Sequence, residues 1–365
     1  MNRPLEEIPT PALVVEAAAV ERNIKRLAAY GAEHQLRIRP HTKTHKSRML
    51  AGMQIEAGAA GLTMAKVGEA EQMAGVSEDL LVAYPAVDAA RTTRLGALAR
   101  EKTLRVAIDT AVAVEALGQA ARAAGSTIGI LVEIDVGMHR TGVATAEESL
   151  NLARRVEKTS GLRLDGIMCY PGHIWAPADG QAPSLASVSA QLREALDLWA
   201  SHGLRAEIVS GGSTPTAYQS HLVGQYTEIR PGTYIFNDAN TVRGGFCEWK
   251  DCAARVVCTV VSDAVKNQFV IDAGTKTLTS DLCAPARESG NGYVVEYPEA
   301  RISRLSEEHG QVDVSQCERR PKVGDRVTVI PNHICPCINL QDALWWQMAD
   351  GSARPIPVDA RGMLS

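Results

Sequence analysis

The chain has 365 residues, enough for two domains or for one large barrel with an appendage. Hydrophobic residues make up 45% and charged residues 22%, the balance of a globular enzyme rather than of a disordered or fibrous chain. The formal net charge is -4 with no basic block, which argues against a nucleic-acid partner, and no apolar run nears the ~20 residues that cross a bilayer.

The N-terminal segment Met1-Asn-Arg-Pro-Leu-Glu-Glu7 carries acid and has no apolar core, so no secretory signal is expected. Residues 12–15 read as a strand and 17–30 as a helix. From residue 36 to about 232, short apolar or β-branched runs alternate with Ala/Leu/Glu-rich stretches of helical spacing. The predicted strands are 36–39, 60–64, 80–83, 104–108, 128–134, 164–169, 206–209 and 226–230. Helices are predicted between them at 47–57, 67–74, 110–124, 146–159 and 184–202. Eight strands with crossover helices predict an α/β fold, a (β/α)8 TIM-type barrel, with an open doubly wound sheet as the rival.

Beyond residue 240 the helical pattern fades. Runs at 254–261, 269–271, 292–297 and 326–330, bounded by Gly, Asp and Pro, read as strands of a C-terminal β-rich domain. The expected division is a barrel over 13–238 and a β-rich domain over 239–365, which residues 1–12 join. Of eight cysteines, several lie in apolar runs such as Val256-Val-Cys-Thr-Val260 and read as reduced core thiols. Their spacing gives neither a disulfide framework nor a paired CxxC zinc module, and a reducing cytoplasm is expected.

In a barrel of this kind the chemistry sits at the C-terminal ends of the strands. The first end carries Arg39-Pro-His-Thr-Lys-Thr-His-Lys46, with His41 and Lys43. A lysine placed there can form a Schiff base with an aldehyde cofactor such as pyridoxal phosphate, although a solvated basic segment would read the same way. Tyr84, Asp109 and Asp135 end the third to fifth strands, and Tyr170 and His173 follow the sixth. Ser210-Gly-Gly-Ser-Thr214 follows the seventh strand, at the usual phosphate position of the fold. Gly211 and Gly212 would let backbone N–H groups approach a phosphate, and Ser213 and Thr214 would add hydroxyls where a helix begins. A plain capped helix entry remains the alternative. Pro215 suits a first helical turn.

Pro331-Asn-His-Ile-Cys-Pro-Cys337 carries a second constellation. On a strand, His333 and Cys335 would share a face, since the side-chain period is two. Imidazole and thiolate form half a site for a divalent metal, and the soft thiolate favours zinc over manganese or magnesium. Two protein donors would leave positions open to water or substrate. A core histidine beside a buried cysteine would read alike. Cys337 is a possible third donor, with Pro336 set against it.

Taken together, the chain resembles the metal-dependent D-threonine aldolase and D-serine dehydratase group, pyridoxal-phosphate (fold-type III) enzymes of the alanine-racemase-type fold. The segments that carry the resemblance are Arg39–Lys46, Glu133-Ile-Asp-Val-Gly137, Ser210-Gly-Gly-Ser-Thr-Pro-Thr216 and Arg230-Pro-Gly-Thr-Tyr234. Ile271-Asp-Ala-Gly274, Ser306-Glu-Glu-His-Gly310 and Pro331-Asn-His-Ile-Cys335 add to it. It implies that Lys43 is the Schiff-base lysine and Lys46 a surface lysine at a helix start. It puts the phosphate on Gly211, Gly212 and Ser213 with Thr214 and Tyr234, and it places His41 and Tyr170 among the cofactor contacts. Arg140 would face the pyridine nitrogen, and His333 and Cys335 would bind the metal. His173 would act as general base, a role for which an imidazole pKa near ~6.5 is suited. The group's aldolases often carry Asp where Cys335 stands and its dehydratases tend to carry Cys, which raises the weight of zinc and of dehydration. The expected activity is D-threonine cleavage to glycine and acetaldehyde. Ammonia-releasing dehydration of D-serine or D-threo-3-hydroxyaspartate is the alternative, and a homodimer acting on a small β-hydroxy-D-amino acid is the expected assembly.

Overall fold

The structure is a computed structural model and describes residues 2–365. The chain divides into two units. One comprises Arg26–Lys43, Arg48–Gly232 and Gly362–Ser365; the other comprises residues up to Lys25, Thr44–Ser47 and Thr233–Arg361.

The first unit is the expected barrel. Its strands are Arg37–Ile38, Leu62–Met64, Asp79–Val82, Thr103–Ile108, Ile128–Ile134, Leu162–Cys169, Ile208–Gly211 and Glu228–Ile229. All pair in parallel, in the spatial order first, eighth, seventh and so on to second. A parallel bridge between His41 and Thr63 closes the ring, supported by Ala60 N–H to Ile38 O (2.8 Å) and Thr63 N–H to Pro40 O (2.9 Å). Every residue of Ile128–Ile134 is buried, as befits a strand covered on both faces.

Side chains two apart on a strand point the same way, so the barrel interior can be read in layers. Leu81, Ala107, Leu131, Met168 and Ile208 form one apolar cluster, each from a different strand. Two residues earlier on their strands stand Asp79 and Arg105, and two residues later Asp109 and Glu133. The earlier level is a charged floor. Arg39 Nε lies 2.9 Å from both Glu228 carboxylate oxygens, and its Nη1 lies 2.6 Å from Asp79. Arg105 bridges Asp79 and Asp165 at 2.6 Å each, and Arg163 reaches both oxygens of Asp165. Gly129 leaves room for this ring, because a Cβ there would stand 2.4 Å from Asp165 Oδ2.

The second unit is built on a ten-stranded mixed sheet. Ala12–Glu16 runs antiparallel to Ala254–Ser262 and parallel to Ala343–Gln347, so residues 13–25, expected in the barrel, group with the C-terminal sheet instead. Ile8, Ala12, Val14, Val257 and Ala353 pack together on this sheet. All eight cysteines are free thiols, five of them buried.

Candidate active site

At the barrel mouth the chain leaves the first strand through a 3-10 turn, Thr42–Thr44. Thr42 Oγ1 donates to Thr63 O (3.2 Å), His41 N–H to Pro231 O (3.0 Å), and Lys43 N–H reaches His41 Nδ1 at 3.4 Å. The backbone around Lys43 is therefore fixed from three sides. Its half-buried side chain has no hydrogen bond or ion pair among the described residues. Lys46 is placed differently from the surface position expected. It is 4% exposed, has a left-handed φ of 51°, and its Nζ donates to Ala360 O at 3.4 Å.

After the fifth strand, Asp135 organises the loop that carries Arg140. Its Oδ1 accepts from Gly137 N–H and His139 N–H, both at 3.0 Å, and its Oδ2 meets His139 Nδ1 at 2.7 Å. Burial would raise the Asp135 carboxyl pKa, but these hydrogen bonds outweigh it and hold it below the usual value. Gly142 N–H donates to Asp109 Oδ2, and Thr141 Oγ1 donates to Glu133 Oε1. The loop so held sets the Arg140 guanidinium 4.7 Å over the Tyr170 ring. Gly137 has φ +118°, and a Cβ there would meet the His173 ring at 2.9 Å, so only glycine fits beneath that imidazole. His173 is exposed and makes no hydrogen bond among the described residues.

The turn after the seventh strand is buried. Gly212 has φ +75°, and the Tyr226 hydroxyl meets its backbone. Ser213 spends its N–H on Thr216 Oγ1 (3.1 Å), and its hydroxyl also meets Thr216; Thr214 is half-buried. A helix does begin after the turn, as a short 3-10 helix, Ala217–Leu222; its Ser220 Oγ donates back to O of its N-cap Thr216. Tyr234 is buried in the 3-10 turn Thr233–Ile235 of the second unit.

Several residues at the mouth escaped the sequence reading. Glu133 is 3% exposed, and burial raises its pKa against the opposing contributions of Thr141, Arg230 and Arg140. Arg230 is buried and donates to Ser210 Oγ (2.7 Å) and Cys169 O (2.8 Å). Burial lifts the Cys169 thiol to about 11. Lys66, after the second strand, sets its ammonium 3.7 Å over the Tyr84 ring.

In the second unit His333 and Cys335 come together, but by a different route from the strand expected. The strand Arg326–Ile330 ends first; His333 is the extended N-cap and Cys335 lies in the first turn of the helix Ile334–Asn339. Pro336 fits that turn, where its missing N–H has no helical acceptor. Asp238 Oδ2 accepts the Ile334 N–H at 3.1 Å and so caps the helix. His333 Nδ1 lies 2.8 Å from Asp281 Oδ2, and the ring also makes a side-chain hydrogen bond with Cys335. Burial would lower the His333 pKa, but contact with Cys335 and the Asp238 and Asp281 carboxylates raise it to about 9. Cys335 Sγ is 3.2 Å from Thr44 Oγ1 and 3.6 Å from Thr233 Oγ1. Cys337 turns away, with its Sγ toward the carbonyls of Leu278 (3.4 Å) and His333 (3.3 Å) and its pKa pushed up by burial. Among the described residues no group of three or more His, Cys, Asp or Glu is arranged to hold a metal.

A closed parallel barrel whose first strand ends on an unpaired lysine, followed by a mixed β unit, defines the alanine-racemase-type fold. The family described as alanine racemase, N-terminal domain, matches residues 15–240, and the putative serine dehydratase domain matches 253–346. A D-threonine aldolase from Arthrobacter sp is 32% identical, with 98% of this chain and 94% of that one covered. A 3-hydroxy-D-aspartate aldolase from Paracoccus denitrificans is 33% identical, over 98% and 93%. The crystal structure of D-threonine aldolase from Filomicrobium marinum superposes with a TM-score of 0.92 at 30% identity, over 100% and 99%. A D-threo-3-hydroxyaspartate dehydratase solved as a cysteine-to-alanine mutant in the metal-free form gives 0.90 at 28%, over 97% and 98%. The chain belongs to this family of alanine-racemase-like lyases, for which pyridoxal phosphate is the expected cofactor. No helix among the described residues is long and apolar enough to cross a membrane.

Proposed function

We propose that the protein is a pyridoxal-phosphate- and divalent-metal-dependent lyase of β-hydroxy-D-amino acids, acting as a homodimer, with D-threonine cleaved to glycine and acetaldehyde. The observation that carries the reading is end-to-end likeness to D-threonine aldolases in both sequence and structure.

The residues fit the groups this reading needs. Lys43 offers an amine with no partner on a fixed backbone, and the turn at Gly212 is open only to glycine. Lys43 would hold the cofactor aldehyde. Gly211, Gly212, Ser213, Thr214 and Tyr234 would serve its phosphate, His41 and Tyr170 its ring, and Arg140 its ring nitrogen. Once bound, the cofactor supplies a sink for charge developing at the substrate Cα. His333 Nε2 and Cys335 Sγ would hold the ion, and a nitrogen–sulfur pair suits zinc. A divalent ion held there would lower the pKa of a hydroxyl it ligated. His173 takes the proton from the substrate β-hydroxyl oxygen, and no side-chain partner competes for its ring. Asp135 and Gly137 hold the loops of Arg140 and His173 in register.

One observation favours a second reaction on the same residues. Cys335 sits beside His333, and the structures this chain matches include a D-threo-3-hydroxyaspartate dehydratase from Delftia sp. HT23 and its cysteine-to-alanine mutant in a metal-free form. In that reading Lys43 Nζ removes the Cα proton, the β-hydroxyl takes up a proton and departs as water, and hydrolysis of the resulting enamine consumes one water and releases ammonia. D-serine then gives pyruvate and ammonia, and D-threo-3-hydroxyaspartate gives oxaloacetate and ammonia. The test is to incubate protein loaded with pyridoxal phosphate and either zinc or manganese with D-threonine, and to identify the products. Glycine and acetaldehyde support cleavage. Ammonia and 2-oxobutanoate transfer the assignment to dehydration, and neither pair of products rejects both.

A further inference from the structure

An ion held by two protein donors depends heavily on how those two are oriented. An imidazole offers a metal one nitrogen only when the proton stays on the other. At His333 that choice is made by Asp281. A carboxylate only accepts, so Asp281 Oδ2, 2.8 Å from Nδ1, keeps a proton there, and it is Nε2 that gives up its proton and offers a lone pair when a metal binds.

Asp281 is itself held in place. Asn332, the residue before His333, is 2% exposed, and its Nδ2 donates to Asp281 O at 3.0 Å and to Gly290 O at 2.8 Å. Asp281 N–H donates to Thr279 Oγ1 at 3.3 Å. The segments of Asp281 and His333 are therefore tied twice, once through a buried amide and once through the side chains. Stability does not account for the second tie: the side chains are 47% and 40% exposed, and a pair so placed contributes little to folding. Fixing a tautomer and a ring orientation does account for it, and a ligating histidine regularly has such a partner.

Resting on the reading of His333 and Cys335 as metal donors, we propose that Asp281 is the positioning residue of that site, setting the tautomer and ring angle with which His333 receives a divalent ion. Metal-stripped holoenzyme, still loaded with pyridoxal phosphate, is titrated with zinc against a chromogenic chelator. Asp281→Ala should weaken zinc binding by ~10–100-fold. Asp281→Asn should recover most of the loss, since its amide oxygen can still accept the Nδ1 proton. Cobalt(II) loading gives an independent readout: the visible spectrum of Asp281→Ala should change relative to the parent, while circular dichroism shows both variants folded. Parent-like zinc affinity in Asp281→Ala, with His333→Ala losing the metal, overturns the role of Asp281 alone. A parent protein whose zinc affinity is unchanged by His333→Ala sinks the metal reading itself, and the proposal with it.

Discussion

At the floor of the barrel, Arg39, Arg105 and Arg163 face Asp79, Asp165 and Glu228, three cations against three carboxylates, each within hydrogen-bond reach of a partner. At the mouth, Lys43 and His173 have no such partner, and Glu133, near the end of its strand, is buried with a raised pKa. The apolar layer of Leu81, Ala107, Leu131, Met168 and Ile208 separates the two. The same scaffold thus compensates charge where it needs rigidity and leaves groups uncommitted where chemistry is expected. Residues two apart on one strand, Asp79 and Leu81 or Leu131 and Glu133, belong to different regimes.

The largest effect should come from the mouth. His173→Ala should lower D-threonine cleavage by ~10²–10⁴-fold, the range for a general base. Its denaturation midpoint should stay near that of the parent, because the side chain is exposed and unbonded. An equal loss of cleavage and dehydration would remove the general-base role. At the floor the effects should reverse. Arg39 is 1% exposed and Glu228 0%, so Arg39→Met strands a buried carboxylate and should cost ~3–5 kcal/mol in urea unfolding. A loss below ~1 kcal/mol, the value of an exposed pair, would show the floor to be solvated.

Gly137→Ala should be intermediate, costing more than ~1 kcal/mol, because its φ of +118° disfavours any side chain. It should also lower kcat, since the new Cβ would displace the His173 ring. Glu133→Gln should have the smallest effect, and it is one of pH. A carboxyl whose folded pKa is raised keeps its proton longer in the native state. The parent therefore loses stability as pH rises from the unfolded value near ~4.3 through the folded one. Glu133→Gln should remove that loss, so its stability advantage appears above this window and vanishes below it. Thermal midpoints from pH 4 to 8 would show a flat difference if Glu133 were already compensated.

Much of the barrel was legible because its strands are short apolar runs separated by helical periodicity, and each of the eight falls within two residues of its expected place. The mouth residues were legible because the fold puts chemistry at strand ends. The floor was not: Asp79, Arg105, Asp165 and Glu228 sit singly on strands and Arg39 just after one, where an isolated charge reads as surface. Only the two-residue offset from apolar interior positions could have linked them. Lys46 was placed at the surface by the resemblance alone, yet Thr44–Ser47 groups with the second unit and Lys46 is buried. His333 and Cys335 were paired through a strand period, whereas a helix start under Asp238 brings them together. Asp281 lies 52 residues earlier in the chain, beyond any local pattern.

The most direct test of the account is to reduce the pyridoxal-phosphate-loaded protein with borohydride, digest it and locate the pyridoxyl group by peptide mass spectrometry. The account predicts a single modified residue, Lys43. Modification at Lys46 or Lys66, or none at all, would contradict it.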